Sequence, residues 1–232
     1  MHSTKHNTDV QHRRIRSFVR REGRLTQGQQ KALDELWPRF GLSAEAELNP
    51  AQTFGRSAPL TLEIGFGNGS SLVRMAADDP QSDFIGIEVH RPGVGHLLYE
   101  LDKQALDNVR VFCHDAVEVL DQCIADASLE RVLLFFPDPW PKRKHHKRRI
   151  LQPVFVDRIA RKLKTGGRFH MATDWEPYAG HMLKVMQSTT DFVNCDAAGG
   201  YSERSGYRPV TRFERRGQRL GHGVLDLVYQ RC

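Results

Sequence analysis

The run Thr61-Leu62-Glu63-Ile64-Gly65-Phe66-Gly67-Asn68-Gly69 constrains this chain more than any other stretch. An apolar β pattern breaks into glycines at alternate positions and passes directly into a helical pattern, Ser70 to Ala77. Glycines so placed let a backbone turn sharply and sit against a ligand with no Cβ in the way. A plain tight turn would explain the glycines alone. The next apolar run, Asp83-Phe84-Ile85-Gly86-Ile87-Glu88-Val89, adds a carboxylate about 20 residues on, where a ribose diol lies in a βαβ unit.

The ligand is a choice between a dinucleotide and S-adenosylmethionine. The pattern Gly-x-Gly-x-x-Gly needs glycine where this chain has Ser70, and its third glycine comes one residue early. A helix N-terminus offered to a pyrophosphate is therefore less well supported than a looped backbone around a neutral or cationic ligand. Two further carboxylates follow apolar runs: Asp115 after Val109 to His114, and Asp138 after Val132 to Pro137. A ring of Glu63, Glu88, Asp115 and Asp138 suits a sulfonium and an adenosine better than a pyrophosphate, on Coulomb grounds.

A chain of 232 residues can bury a core that needs neither disulfides nor metal. Its mean hydropathy of −0.53 and lack of a long apolar run exclude a membrane span. The polar stretch Met1 to Asp9 has no apolar segment of a secretory signal. Cys113, Cys123, Cys195 and Cys232 form no Cys-x-x-Cys pair and read as free thiols in a reducing cytoplasm. The eleven histidines show no ligand spacing, so no metal is expected.

Charge is concentrated. The net +6 rests on Pro141 to Arg149, with six lysines and arginines and no acid, and on His12 to Arg24, with six arginines against Glu22. The rest of the chain is net acidic. Two basic segments on an acidic body read as a polyanion footprint, against the blander reading of a flexible loop and a solvated tail.

Strand and helix patterns alternate from residue 60 onward, which predicts a parallel sheet covered on both faces. Strands are expected near 60–65, 84–89, 109–113, 131–136 and 168–173, and helices near 70–78, 93–106, 116–125, 150–164 and 176–188. In the fourth of these helices Ile150, Val154, Ile159 and Leu163 form the apolar stripe, Pro153 sits in the first turn, and Gly166-Gly167 end it. Two β runs, 211–219 and 224–231, joined by Gly221-His222-Gly223, predict a closing antiparallel hairpin. Ahead of the sheet, a short helical rhythm runs from Gln27 to Leu36 and ends at Trp37-Pro38, and 41–57 reads as a polar connector. The fold expected is α/β, a doubly wound, seven-stranded, mostly parallel sheet with a closing antiparallel strand. Such a sheet binds ligands at the carboxyl ends of its strands, where Glu88, Asp115, Asp138 and Asp174 fall.

Phe136-Pro137-Asp138-Pro139-Trp140 holds a carboxylate between two prolines, which restrict where it points, beside an aromatic face. The basic run starts immediately after it, so polyanion binding and chemistry share one rim. Here the chain resembles the bacterial tRNA (guanine-N7-)-methyltransferases, from about Arg14 to the C-terminus. The resemblance rests on Arg16-Ser17-Phe18-Val19-Arg20-Arg21, Leu62-Glu63-Ile64-Gly65-Phe66-Gly67, Gly86-Ile87-Glu88-Val89-His90, Phe135 to Trp140, Ala172-Thr173-Asp174-Trp175 and Arg208 to Gly217.

That resemblance implies a class I S-adenosylmethionine-dependent methyltransferase fold and a guanine in the variable loop of tRNA as substrate. It implies a donor site of Glu63, Gly65, Gly67, Glu88, Asp115 and Asp138, with Asp138 also the active-site residue. Lys142, Asp174, Thr211, Arg212, Phe213 and Glu214 would meet the guanine nucleotide. Lys144, His145, His146, Lys147, Arg148 and Arg149 would meet the RNA backbone. The expected organisation is a basic, partly disordered N-terminal extension over 1–55 and a catalytic domain over 56–232. The expected partner is tRNA, with neither membrane nor metal, and the chain a monomer or homodimer. A methyltransferase for another base, an RNA-binding module with a vestigial pocket, and a nucleotide-dependent oxidoreductase are the competing readings.

Overall fold

Strands buried on both faces of a parallel sheet need near-continuous apolar runs, and Leu60 to Ile64 and Asp83 to Ile87 are buried at every position. The computed structural model describes residues 16–18, 23–210, 214 and 223–232. Along them run α1 (Gln27–Phe40), α2 (Pro50–Phe54), β1 (Leu60–Ile64), α3 (Ser70–Asp78), β2 (Asp83–Ile87), α4 (Arg91–Lys103), β3 (Val109–Phe112) and α5 (Ala116–Gln122). There follow β4 (Leu129–Phe135), a 3-10 turn (Arg143–Arg148), α6 (Pro153–Lys162), β5 (Leu163–Thr173), α7 (Glu176–Gln187), β6 (Phe192–Asn194) and β7 (Leu225–Arg231).

The described strands form one seven-stranded sheet in the order β3-β2-β1-β4-β5-β7-β6. The pairs from β3 through β5 are parallel, and β7 closes antiparallel on β5, with Thr173 opposite Leu225. The chain leaves β1 toward β2 on one side and returns to β4 on the other, which opens a crevice at the carboxyl ends of β1 and β4. Each face carries its own core. Leu60, Leu62, Ile64, Val132 and Leu134 face α5, α6 and α7; Leu133 and Phe135 face the other side, with α1, α3 and α4. Because strand side chains alternate, Glu63 lies on the face opposite Leu62 and Ile64.

The expected doubly wound, mostly parallel sheet is what the chain forms, with local corrections. Helix α1 continues through Pro38 to Phe40 instead of stopping at Trp37. Its fully buried Phe40 and a Thr26/Gln29 capping box outweigh the backbone bond that proline removes. The connector over 41–57 contains α2, with Asn49 as N-cap, Pro50 in its first turn and Gly55 as a left-handed stop. In α6 the buried face is Phe155, Val156, Ile159 and Ala160, while Val154, expected in the stripe, is 62% exposed. That helix ends at Lys162 because Leu163 already pairs with Leu129; Gly166-Gly167 lie in the irregular stretch of β5, where the register shifts. The seventh strand is the short edge strand β6 on β7. The strand expected over 211–219 lies outside the described residues, apart from Glu214.

A buried ionic cluster ties β5 and β7 to the segment that leads to the crevice. His170 Nε2 donates to Asp226 Oδ1 at 2.7 Å, so its Nδ1 accepts from the Tyr207 hydroxyl at 2.8 Å. Burial holds the His170 pKa below the usual imidazole range despite the bond to Asp226. Arg208 gives Nη1 to Glu214 Oε2 at 2.7 Å and Nη2 to Asp226 Oδ2 at 2.9 Å. All three charged side chains are at most 3% exposed. Removing the guanidinium would take a counter-charge from two buried carboxylates, so Arg208→Met is expected to cost about 3–5 kcal/mol in urea denaturation. A loss below about 1 kcal/mol would contradict this account of the cluster.

Candidate active site

The turn between β1 and α3 has its three glycines in the left-handed region, with φ of 74° at Gly65, 62° at Gly67 and 79° at Gly69. A side chain at any of these positions would strain the backbone. Gly65 N–H donates to the Ile87 carbonyl at 2.8 Å, and Gly67 N–H donates to Glu88 Oε2 at 2.9 Å. Glu88 Oε1 accepts from the backbone N–H of Val89 at 2.7 Å and of His90 at 3.0 Å. One carboxylate thus fixes both the glycine turn and the start of α4.

The crevice holds a cavity of about 670 Å³. Its walls include Glu63, Gly65, Gly67, Glu88, His114, Phe136 and Asp138, together with Pro209 and Val210 from the Arg208 segment. Glu63 is 2% exposed, and its Oε2 has no hydrogen-bond partner among the described residues. Burial first, and the neighbouring Glu88 second, push its pKa up to about 8. A buried acid with an unused oxygen on a ligand-sized cavity fits a ligand that brings a donor or a positive charge.

Asp138 is exposed on the same wall. It is flanked by two non-glycine residues with positive φ, Phe136 at 50° and Trp140 at 45°. Such residues cost of order 1–2 kcal/mol each and persist only where the surroundings enforce them. Here Phe136 N–H donates to the Ala172 carbonyl at 2.8 Å, and Arg149 Nε donates to the Pro139 carbonyl at 2.9 Å. Trp140 Nε1 donates to the Ser17 carbonyl at 3.1 Å, and the Arg148 guanidinium lies 4.0 Å from the Trp140 ring centre. Arg148 Nη2 also reaches the Phe18 carbonyl at 3.3 Å, so Ser17 and Phe18 are tied to this segment and form part of the cavity wall.

The expected donor-site residues converge: Glu63, Gly65, Gly67, Glu88 and Asp138 share one cavity. Asp115 stands behind it, capping α5 through the Val117 N–H at 2.9 Å, between the wall residues His114 and Ala116. Asp174 is exposed at the end of β5, and Lys142, Arg143, Lys144 and Lys147 are exposed beside Asp138. Arg149 departs from the expected phosphate-facing run: it is 4% exposed, stacked 4.8 Å from the Tyr178 ring centre and spent on Pro139. Glu214 lies in the Arg208 cluster, and Thr211, Arg212 and Phe213 lie outside the described residues. Sequence reasoning missed Ser17, Phe18, Pro209 and Val210 as wall residues. Their signal was available in the two arginine-rich motifs, but only tertiary packing brings those segments to the cavity. Among the described residues no group of three or more histidines, cysteines or acids could hold a metal, and no helix is long and apolar enough to cross a membrane.

Residues 57–227 match the family model described as "Putative methyltransferase". The chain is 60% identical over 220 residues to the tRNA (guanine-N(7)-)-methyltransferase of Alcanivorax borkumensis, covering 94% of this chain and 92% of that protein. It is 59% identical over 219 residues to the protein of the same name from Methylococcus capsulatus, covering 94% and 95%. Among solved structures, an rRNA methylase from Streptococcus thermophilus superposes with a TM-score of 0.50 at 10% identity, over 90% of this chain and 99% of that one, a likeness of fold alone.

Between pH 4.5 and about 8 an unfolded Glu63 has ionised while the folded one keeps its proton, so stability falls as pH rises through this window. Glu63→Gln replaces the acid with a side chain that stays uncharged. Thermal melts across the window are expected to show a flatter pH dependence and a higher Tm near pH 8 than wild type. Parallel curves for the two proteins would show that Glu63 is ionised throughout.

Proposed function

The chain belongs to the tRNA (guanine-N7-)-methyltransferase family, and on that premise we propose that it methylates N7 of a guanine in the variable loop of tRNA. The observation that carries this reading is the position of Asp138: exposed on the wall of the glycine-turn cavity, with exposed Lys142, Arg143 and Lys144 beginning four residues on. S-adenosylmethionine would occupy the cavity and supply an electrophilic methyl group on a positively charged sulfur. Glu63, Gly65, Gly67 and Glu88 would hold it, with Asp115 supporting the wall from behind. The partnerless Glu63 oxygen supports that fit, because a ligand with a positive charge favours the ionised acid and a ligand donor can use the free oxygen.

Guanine N7 presents a lone pair and no proton, so its attack on the methyl carbon breaks the carbon–sulfur bond without a base. The electron pair stays on sulfur, and the purine becomes cationic. Catalysis is then mainly alignment. Asp138, or Asp174 at the end of the neighbouring strand, would accept hydrogen bonds from the N1–H and N2–H₂ edge of the guanine. Its negative charge would favour the cation that forms. Lys142 and Thr211 to Phe213 would complete the nucleotide pocket, with Glu214 anchoring that segment through the buried Arg208. Lys144, Lys147 and the imidazoles of His145 and His146 would follow the phosphates; Arg148 and Arg149 already serve Trp140 and Pro139. The target base must be exposed from folded tRNA at a cost of a few kcal/mol, which phosphate contacts can offset. A reaction on tRNA supports a cytoplasmic enzyme, working as a monomer or homodimer.

Asp138→Asn is expected to lower kcat for methyl incorporation into unmodified tRNA by about 10²-fold or more, with unchanged thermal stability. Turnover near wild type would remove Asp138 from the chemistry. Four exposed cations, Lys142, Arg143, Lys144 and Lys147, predict a slope of log K against log salt of about −3 to −4 for tRNA binding. A flat salt dependence would show that this turn does not touch the phosphates.

A further inference from the structure

The glycine turn is gripped from two sides, and only the β2 side, through Glu88, belongs to the ligand wall. The other side is α4. A Cβ at Gly93 would collide with the carbonyl oxygen of Gly67, and one at Gly69 would lie 2.7 Å from the Leu97 Cβ. The first turns of α4 therefore sit directly on the loop, with no room for an intervening atom. Between these two contacts His96, on the same helix, places Nδ1 2.8 Å from the carbonyl oxygen of Asn68.

A carbonyl only accepts, so His96 Nδ1 carries the proton. The Asn68 carbonyl belongs to the same peptide unit as the Gly69 N–H, which donates to the Phe66 carbonyl at 3.0 Å. Flipping that unit changes ψ of Asn68 and φ of Gly69, and Gly69, already at positive φ, has no side chain of its own to resist the change. Without an anchor on the carbonyl, the unit can flip and turn the amide away from Phe66.

We propose that His96 is a positioning residue for the methyl-donor site: its Nδ1–H locks the Asn68–Gly69 peptide and so keeps the glycine turn in its ligand-binding shape. This rests on the reading of the cavity as a donor site. His96 itself is not on the cavity wall, so it acts through the turn and not by contact with the ligand.

The test compares His96→Leu, which removes the donor, with His96→Asn, whose Nδ2 can take the place of Nδ1. His96 is only partly buried, so neither change should prevent folding. In the ligand-free protein, hydrogen exchange at the Gly69 amide is expected to accelerate in the Leu variant and to stay near wild type in the Asn variant. Calorimetry with S-adenosylhomocysteine is expected to show about three- to tenfold weaker binding for Leu, the size of one lost hydrogen bond, and within about twofold of wild type for Asn. KM for tRNA should not move. The proposal is overturned if Leu exchanges and binds like wild type, or if Asn fails as badly as Leu. Wild-type protein that does not bind S-adenosylhomocysteine would instead sink the donor reading, while the exchange comparison would still decide whether His96 holds the turn.

Discussion

The hydrogen bond from Gly67 N–H to Glu88 is the contact on which the site depends. It joins the turn after β1 to the end of the neighbouring strand β2, on one side of the crevice, and the same carboxylate receives the first amides leading into α4. Three left-handed glycines make the turn possible, but they also leave it with little stiffness of its own. Rigidity has to come from outside the turn. Glu88 supplies it from the sheet, and Gly93, His96 and Leu97 supply it from the helix packed above. A cavity that must align a methyl carbon with a ring nitrogen needs that kind of external bracing.

Charge is handled differently at the two ends of the site. Inside, Glu63 is buried beside Glu88 and keeps its proton to about pH 8, which leaves one net negative charge where two would repel. At the rim, Asp138 stays exposed and is aimed by a segment strained at both Phe136 and Trp140. That strain is held by bonds with Ala172, Arg149 and Ser17, so three separate parts of the chain fix one carboxylate. Two arginines of the basic run serve this purpose. Arg149 is buried against Pro139 and Tyr178, and Arg148 covers Trp140. The run is therefore a brace for the acid as well as a row of exposed cations.

How much could be read in the sequence follows from the range of each interaction. Strands β1 to β5 and helix α3 were legible because parallel strands buried on both faces advertise themselves as apolar runs between glycines and acids. Helix α2 was legible in principle, since Asn49-Pro50 is an N-cap followed by a first-turn proline, but a five-residue helix carries no periodicity. Strand β6, three residues long with Val193 exposed, exists only because β7 offers it an edge. Glu88 and Asp138 were legible because each follows a strand, and Glu63 because it interrupts the apolar run of β1. The roles of Arg149, Ser17 and Phe18 were not, because nothing local separates an arginine that meets solvent from one that stacks on a tyrosine 29 residues away.

In the function proposed, one cavity presents a methyl donor to guanine N7 of a tRNA held by the adjacent cations. The most direct measurement is to incubate unmodified tRNA with the protein and methyl-labelled S-adenosylmethionine, then digest the RNA and map the label. Label is expected in N7-methylguanosine from the variable loop and in no other nucleoside. Label in another base, at another guanine position, or in no nucleoside at all would contradict it.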